Sequence, residues 1–153
     1  MDTGNSQICG FTLIELLVTM VLIGLLAVVV VPRLFDSSTF RSRGFFEEVI
    51  HAARYGQKLA VASGCAVQLS VSGSGFTLHQ RQNCAGGTFS RPVPRPAGSG
   101  AFAAAPPSGV TLSATAAAVV FDSLGRAAPG GVTVSVGDRS FTIAGESGYV
   151  DGS

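Results

Sequence analysis

The chain has 153 residues, which leaves room for a membrane segment and one domain of about 120 residues. Its formal charge of +1 gives no indication of a strongly charged partner. The 20 glycines and 7 prolines favour a turn-rich domain that contains β-strands.

The first predicted element is a long apolar run at residues 11–31, which contains one ionisable side chain, Glu15. As a helix it would cover roughly 30 Å, enough to cross a bilayer. The apolar region of a secretory signal peptide is shorter, at about 7–15 residues, and a small-residue cleavage site follows it. Here Pro32 and Arg33 follow instead. Because a charge inside such a span is costly, Glu15 is a candidate functional residue.

The start of this run resembles the N-terminus of type IV pilins and type II secretion pseudopilins. The resemblance depends on Gly10, on Phe-Thr-Leu-Ile-Glu at residues 11–15, and on Pro32 at the end of the run. It implies that a prepilin peptidase cuts after Gly10 and that the new amine of Phe11 is methylated. It also implies that Glu15 pairs with the N-terminus of a neighbouring subunit during assembly.

The physical chemistry of Glu15 agrees with that role. A carboxylate in apolar surroundings needs a partner, and a free amine on an adjacent subunit is a suitable one. The alternative is a plain signal anchor in which Glu15 reaches the lipid headgroups.

The resemblance also implies a location and a set of partners. The chain would be a single-pass protein of the bacterial inner membrane, in contact with lipid, with a periplasmic C-terminal domain, and would enter a pilus or pseudopilus. Its partners would be other pilin or pseudopilin subunits, the prepilin peptidase and N-methyltransferase, and the inner-membrane assembly platform.

The charge pattern conflicts with that orientation. The predicted leader, residues 1–10, carries only Asp2, whereas Arg33, Arg41 and Arg43 follow the span. The positive-inside rule alone would place the C-terminal domain in the cytoplasm. We expect the periplasmic orientation because the N-terminal motif is more specific than the charge pattern.

An amphipathic continuation of the helix is predicted over residues 32–64. Pro32 should kink or interrupt the helix where it leaves the membrane. From about residue 40 to residue 62, apolar side chains recur at helical spacing, and Ser63-Gly64 is a stop. The side chains predicted to face inward are Phe45, Phe46, Val49, Ile50, Ala52, Ala53, Leu59 and Ala60.

Residues 65–153 form the predicted β-rich globular domain. Alternating residues on both sides of a Gly-Ser-Gly turn predict a hairpin over residues 67–80. Residues 85–109 hold five of the seven prolines and are predicted as a long surface loop. Further strands are predicted near residues 110–114, 118–121, 132–136, 141–143 and 149–150. The predicted fold class is α+β and pilin-like, with the long N-terminal helix packed on an antiparallel sheet.

Two further segments refine the resemblance. Phe-Asp-Ser-Leu-Gly-Arg at residues 121–126 is similar to the F-D-x-x-G-R stretch of H-type pseudopilins and related minor pilins. Its physical content is a strand end followed by an Asp/Gly turn. Residues 40–65 are most similar to minor pilins of the mannose-sensitive haemagglutinin (MSHA) type, and next to H-type pseudopilins. These resemblances imply a minor subunit that initiates or caps an MSHA-type pilus or a type II secretion pseudopilus.

Cleavage after Gly10 would remove Cys9 and leave Cys65 and Cys84 in a domain that faces an oxidising periplasm. We therefore predict a Cys65–Cys84 disulfide. It would close a loop of about 20 residues and stabilise the fold by roughly 3 kcal/mol in the chain-entropy model. Two unpaired buried thiols are the alternative. No CxxC motif or Cys/His cluster predicts a metal site.

The sequence shows no catalytic constellation and no cofactor motif, so neither enzyme activity nor a cofactor is expected. His51 and His79 lie far apart in the chain and are predicted as surface or boundary residues. The alternative function is that of a DNA-uptake minor pilin, in which Arg81, Arg91 and Arg95 would contact DNA. Their electrostatic footprint is thin, so DNA is not an expected partner.

Overall fold

The computed structural model describes residues 12–34 and 37–152. The chain divides into two compact units at the boundary between residues 37 and 38. The first unit contains helix α1 (Leu13–Leu34), and the second contains all but the first residue of helix α2 (Ser37–Ser63). The predicted leader, residues 1–10, and Phe11 lie outside the described residues.

Helix α1 occupies the predicted apolar run. Its side chains at residues 13–26 are exposed, with Leu13 77% and Met20 70% accessible. Pro32 lies within the helix, which ends two residues later at Leu34, and the kink stays a prediction. Among the described residues, no helix combines the length and the apolarity that crossing a membrane requires. The expected span over residues 11–31 therefore stays a prediction.

The strands of the second unit follow α2 in the chain. They are β1 (Val67–Ser72), β2 (Gly75–Gln80), β3 (Arg91–Pro92), β4 (Ala103–Ala104), β5 (Leu112–Ala114), β6 (Ala118–Phe121), β7 (Ala127–Ala128), β8 (Val132–Val136), β9 (Arg139–Ile143) and β10 (Val150–Gly152). The hairpin predicted over residues 67–80 is confirmed as β1 and β2, with Val67 opposite Gln80 and Ser72 opposite Gly75.

The strands form two antiparallel sheets. The first has the order β3-β2-β1-β6-β7, with β4 also paired to β2, and the second has the order β10-β9-β8-β5. In both sheets the inward side chains alternate with outward ones, as in β8, where Val132, Val134 and Val136 are buried. The predicted α+β class is confirmed, and the strands divide into two sheets where a single sheet was expected.

Helix α2 packs against both sheets through one face. Phe45 meets Phe76 of the first sheet with ring centroids 6.1 Å apart, and Phe46 meets Phe141 of the second sheet at 5.9 Å. The predicted inward face is confirmed, with Val49, Ala52, Ala53 and Ala60 fully buried and Leu59 partly buried. The helix ends where predicted, since Gly64 adopts a φ of 67°.

Gly56 allows this close helix–sheet packing. A Cβ atom at this position would lie 3.3 Å from Leu78 Cδ2 and 3.5 Å from side-chain atoms of Phe121 and Val67. The first sheet therefore packs against the bare backbone of α2 at this turn.

The proline-rich residues 85–109 differ from the predicted surface loop. Two short strands, β3 and β4, pair with the outer edge of β2. Between them Val93 and Phe102 are buried, Val93 N–H donates to Leu78 O at 3.1 Å, and Leu78 N–H donates to Phe102 O at 3.1 Å. The prediction missed these strands because two-residue strands carry no readable alternation.

Candidate functional site

The first described turn of α1 contains the candidate assembly residue Glu15. Thr12 precedes the helix, and its Oγ1 atom accepts the backbone N–H of Glu15 at 3.3 Å. The Leu16 N–H donates to Thr12 O at 3.2 Å. Thr12 is thus the N-cap of α1, and it satisfies a donor that the helix itself leaves unpaired.

Glu15 lies at the third position of this helix, where a carboxylate interacts favourably with the partial positive charge of the N-terminus. Its side chain is exposed and is flanked by Ile14, 66% accessible, and Leu16, 54% accessible. Gly10 and Phe11, the predicted cleavage and methylation sites, lie outside the described residues. The role of Thr12 was missed, although T-x-x-E at residues 12–15 is a recognised start signature for a helix.

The two cysteines of the globular unit form the predicted disulfide. Cys65 follows the end of α2 and is buried, and its sulfur is bonded to that of Cys84, 19 residues later in the chain. Beside this bond, Gln80 Nε2 donates to Ser63 Oγ at 2.7 Å. The end of α2 is therefore tied to the end of the hairpin by one covalent bond and one hydrogen bond.

The 121–126 segment forms a tightly bonded turn between β6 and β7. Asp122 Oδ1 accepts the backbone N–H groups of Leu124 and Arg126, each at 2.9 Å. Asp122 Oδ2 accepts Arg126 Nε at 2.9 Å. Gly125 has a φ of 83°, a conformation that L side chains rarely adopt. The F-D-x-x-G-R pattern is thus explained by the geometry of one turn.

These contacts perturb the acidity of Asp122. Partial burial raises the pKa of the Asp122 carboxyl group. Hydrogen bonds from the backbone and side chain of Arg126 and from the backbone of Leu124 lower this pKa, and together they outweigh the effect of burial. The positive charge of Arg126 acts in the same direction. The net pKa lies below the ordinary value of 3.8, so Asp122 is ionised at neutral pH.

Arg95, one of the three arginines considered for DNA contact, has intramolecular partners. Its Nη1 atom lies 2.9 Å from Glu48 Oε1, and Nη2 donates to Ala103 O at 2.5 Å. The guanidinium also lies over the Phe102 ring, 5.5 Å from its centroid. Arg81 lies over the ring of Phe89 at 5.0 Å. Both guanidinium groups therefore pack on aromatic rings of their own chain.

The two histidines occupy separate places, as predicted. His51 is exposed on α2, and His79 is half-buried on β2, on the opposite face from Leu78. Within residues 12–34 and 37–152, no group of three or more His, Cys, Asp or Glu residues could hold a metal ion.

Comparison with known protein families gives a match to the N-terminal segment. A family model described as the prokaryotic N-terminal methylation motif matches residues 5–31. This match includes Gly10, Phe11 and Glu15. No curated protein is similar enough in sequence to count as a match.

Solved structures share the fold of this chain. The type IV minor pilin FimU of Pseudomonas aeruginosa aligns with a TM-score of 0.55 at 16% identity, over 72% of this chain and 91% of that one. The minor pseudopilin EpsH from the type 2 secretion system of Vibrio cholerae aligns with a TM-score of 0.53 at 14% identity, over 77% of this chain and 97% of that one. At these identities the alignments show a common fold.

Proposed function

We propose that this chain, which joins a prokaryotic N-terminal methylation motif to the fold of minor pilins and pseudopilins, is the precursor of a minor filament subunit. The combination of that motif and that fold on one chain is the observation that carries the proposal. The motif marks a chain for processing, and the fold is that of proteins named as pilins and pseudopilins. Together the two findings support membership of the pilin and pseudopilin family.

In this proposal the N-terminus is processed before assembly. A prepilin peptidase cuts between Gly10 and Phe11, and the same enzyme methylates the amine of Phe11. The methylated amine remains protonated at neutral pH, so it can still pair with a carboxylate. The Glu15 carboxylate of one subunit then pairs with the Phe11 amine of its neighbour. In apolar surroundings the pairing offsets a desolvation cost of several kcal/mol.

The composition of α1 supports this assembly role. A helix whose side chains are apolar on all sides is stable only when an apolar environment covers it. In the proposed cycle, inner-membrane lipid covers α1 first, and the corresponding helices of other subunits cover it in the filament. The globular unit would then lie on the periplasmic side, and the inner-membrane assembly platform would move subunits from membrane to filament.

The filament is either an MSHA-type pilus or a type II secretion pseudopilus. One compared structure is a minor pilin and another is a pseudopilin, and their TM-scores are nearly equal. The genes that adjoin this one would distinguish the two, because pilus genes and secretion genes form separate groups. Neighbouring pilus genes would assign the subunit to a pilus.

Mass spectrometry of the N-terminus tests the processing step. In cells that contain the prepilin peptidase, the purified protein should begin at Phe11 and carry one additional methyl group. Deletion of the peptidase should restore the full leader without methylation. A chain that keeps residues 1–10 in wild-type cells would contradict the proposal.

Replacement of Glu15 tests the assembly step. Glu15→Ala should leave cleavage after Gly10 intact but reduce the amount of subunit in sheared filaments, because the Phe11 amine loses its partner. Thr19→Ala is a matched control, since it truncates a polar, exposed side chain one turn further along the same helix. Equal incorporation of Glu15→Ala and the control would remove the proposed role of Glu15.

DNA binding is the alternative function. Arg95, one of the three arginines considered for DNA contact, is engaged by Glu48 and by Ala103 O. Its guanidinium is therefore less available to a phosphate group, which favours the assembly function over DNA binding. A DNA-binding subunit would show an affinity for duplex DNA that falls steeply with salt. Binding that is lost in Arg81→Ala and Arg91→Ala variants would support this alternative.

A further inference from the structure

A groove runs along the exposed side of α2 in the globular unit. Its second wall is the segment between β3 and β4, and it consists of two adjoining cavities of about 360 Å³ and 500 Å³. Because His51, Pro96 and Phe102 line both cavities, the two form one continuous depression. We call it the α2 groove, and the helix lines it from Gly44 to Lys58.

The floor of the α2 groove is aromatic and is held in place by contacts within the chain. The Tyr55 and Phe102 rings meet at a centroid distance of 5.8 Å, and Phe102 is buried. Arg95 joins the two walls, since its Nη1 atom lies 2.9 Å from Glu48 Oε1 on the helix. The groove is therefore preformed, and a partner does not have to order its walls on binding.

The charges along the helical wall are sorted by sign. The exposed side chains that recur there at intervals of three or four residues, and so follow one stripe of the helix, are Glu47, His51, Arg54 and Lys58. The glutamate lies at one end of this stripe and the two cations lie at the other. An occupant of the groove therefore meets a negative charge at one end and two positive charges at the other.

The two cations have no carboxylate partner among residues 12–34 and 37–152, the part of the chain that the structure describes. Arg54 Nη2 donates to Val150 O at 3.3 Å, but a guanidinium has five N–H donors, so others remain for a ligand. Like charges four residues apart on a helix destabilise it, as Arg54 and Lys58 do here. Carboxylates bound beside them would remove this cost.

The dimensions of the α2 groove fit an extended polypeptide segment. Gly44 and Lys58 are about 21 Å apart along the helix axis, a distance that an extended chain spans with about six residues. The groove is open to solvent along this length, whereas a small-molecule site encloses most of its ligand. An extended segment can place an apolar side chain on the aromatic floor and carboxylates beside the two cations.

A nucleic acid fits the charges of the groove less well. A phosphate backbone carries negative charge along its whole length, so in the groove it would pass Glu47 as well as the two cations. A polypeptide can carry its carboxylates at one end alone. The sorted charges therefore favour a peptide segment as the occupant.

The sequence of the chain argues that this segment belongs to a different protein. Its only consecutive acidic residues are Glu47 and Glu48, which lie within α2 and so are not part of an extended segment. A second copy of the chain therefore lacks an extended segment with adjacent carboxylates. This agrees with a minor subunit, whose neighbours in a filament are other subunits.

We propose that the α2 groove binds an extended, carboxylate-bearing segment of a different filament subunit, with the carboxylates beside Arg54 and Lys58. This inference rests on the proposed function, since it names the chemistry of a neighbour of the proposed filament subunit. An apolar side chain of the segment packs on Tyr55. Glu47 sets the direction of the segment, because it repels the acidic end, and such complementarity gives specificity more than affinity.

Peptide binding to the full-length chain in a nonionic detergent tests the site. The probes are two fluorescently labelled hexapeptides that differ only at one end, where one has two aspartates and the other has two lysines. Fluorescence anisotropy should show several-fold tighter binding of the acidic probe. Arg54→Glu combined with Lys58→Glu should reverse this preference, and binding of the basic probe would show that the double variant is folded.

Lys58→Glu alone should weaken binding of the acidic probe several-fold. Its matched control is Arg91→Glu, which makes the same change of charge at an exposed position of β3 outside the groove and should leave binding unchanged. Equal losses from the two variants would overturn the inference, because they would show a general attraction of charge. The inference is also overturned if the wild-type chain binds both probes alike, binds neither, or binds a single-stranded hexanucleotide more tightly than the acidic probe.

Sheared filaments separate this inference from the proposed function. The double variant should still begin at Phe11, but several-fold less of it than of the wild type should enter filaments. Equal incorporation of the two chains overturns the contact and leaves the subunit assignment intact. A wild-type chain that keeps its leader overturns the subunit assignment, whereas the peptide affinities, measured on the purified chain, still decide whether the groove binds carboxylates.

Discussion

Asp122 shows how one residue organises the turn between β6 and β7. Its two carboxylate oxygens accept two backbone N–H groups and one guanidinium nitrogen. Gly125 completes the turn with a positive φ, where a Cβ atom would press against Val61. The turn therefore requires an acceptor with two oxygens at one position and a glycine at another.

We predict that Asp122→Asn destabilises the globular unit by about 1 kcal/mol at neutral pH, because it loses the ion pair with Arg126 and weakens the turn. The native pKa of Asp122 is depressed, so its stabilising contribution is present above the ordinary value of 3.8 and is lost as pH falls through the native pKa. The difference between wild type and variant, measured by urea unfolding, should shrink as pH falls below about 3.8.

Glu146→Gln provides the control for this titration. It removes the charge of an exposed carboxylate in the β9–β10 loop. Its effect on unfolding at neutral pH should be within about 0.5 kcal/mol. A stability difference for Asp122→Asn that is constant from neutral to acidic pH would show that the charge of Asp122 does not stabilise the turn.

Individual residues were predictable where the chemistry is local. Glu15 was identified because a lone carboxylate interrupts an apolar run, and the Cys65–Cys84 pairing followed from the count that cleavage would leave. The ion pair between Glu48 and Arg95 was not predictable, because its partners are 47 residues apart in sequence. Only the folded position of the proline-rich segment brings them together.

Among the structural elements, the segment between β2 and β5 differs most from what its composition indicates. Its composition indicates a loop, yet Val93 and Phe102 each place one apolar side chain in the core. The Phe102 ring contacts the Tyr55 ring in a tilted arrangement and the Phe76 ring edge to face, at centroid distances of 5.8 Å and 5.9 Å. The segment therefore acts as a packed cover on the first sheet and not as a free loop.

Val93→Ala tests this interpretation. We expect a loss of about 2 kcal/mol in the free energy of unfolding, since the change removes buried apolar atoms and leaves a cavity beside β2. Ser99→Ala, at an exposed position of the same segment, should have an effect within about 0.5 kcal/mol. Urea unfolding of both variants gives the comparison, and equal effects would mean that the segment does not pack on the sheet.

At the scale of the whole molecule, the disulfide is the main covalent constraint on the globular unit. It encloses the complete β1–β2 hairpin between its two cysteines. Cys65→Ala combined with Cys84→Ala should lower the free energy of unfolding by about 3 kcal/mol, because the unfolded chain regains the entropy of the open loop. The measurement is urea unfolding under oxidising conditions.

A reducing agent supplies the control for this prediction. It should lower the stability of the wild-type protein to nearly that of the double variant and leave the double variant unchanged. If the two oxidised proteins unfold at the same urea concentration, the disulfide contributes no stability to the fold.

The general architecture was predictable because its signals are periodic. The inward face of α2 and the hairpin both follow from spacing, as does β8 with its three alternating valines. The division into two sheets was not predictable, since it depends on pairs that are distant in the chain, such as β1 with β6 and β5 with β8. Local patterns indicate the longer strands, whereas core packing selects their neighbours.

The way in which β3 and β4 border β2 has a consequence for contacts between copies of this chain. An exposed strand edge offers a row of unpaired amides and carbonyls, and copies held at high density would join through such rows in the wrong register. Here β3 and β4 occupy opposite ends of the β2 edge, and the backbones of Val93 and Phe102 bond to Leu78 between them. A segment rich in proline makes a good border, because proline has no N–H group to offer a further strand. The outer edge of β2 is therefore closed to strand pairing with a second copy of the chain.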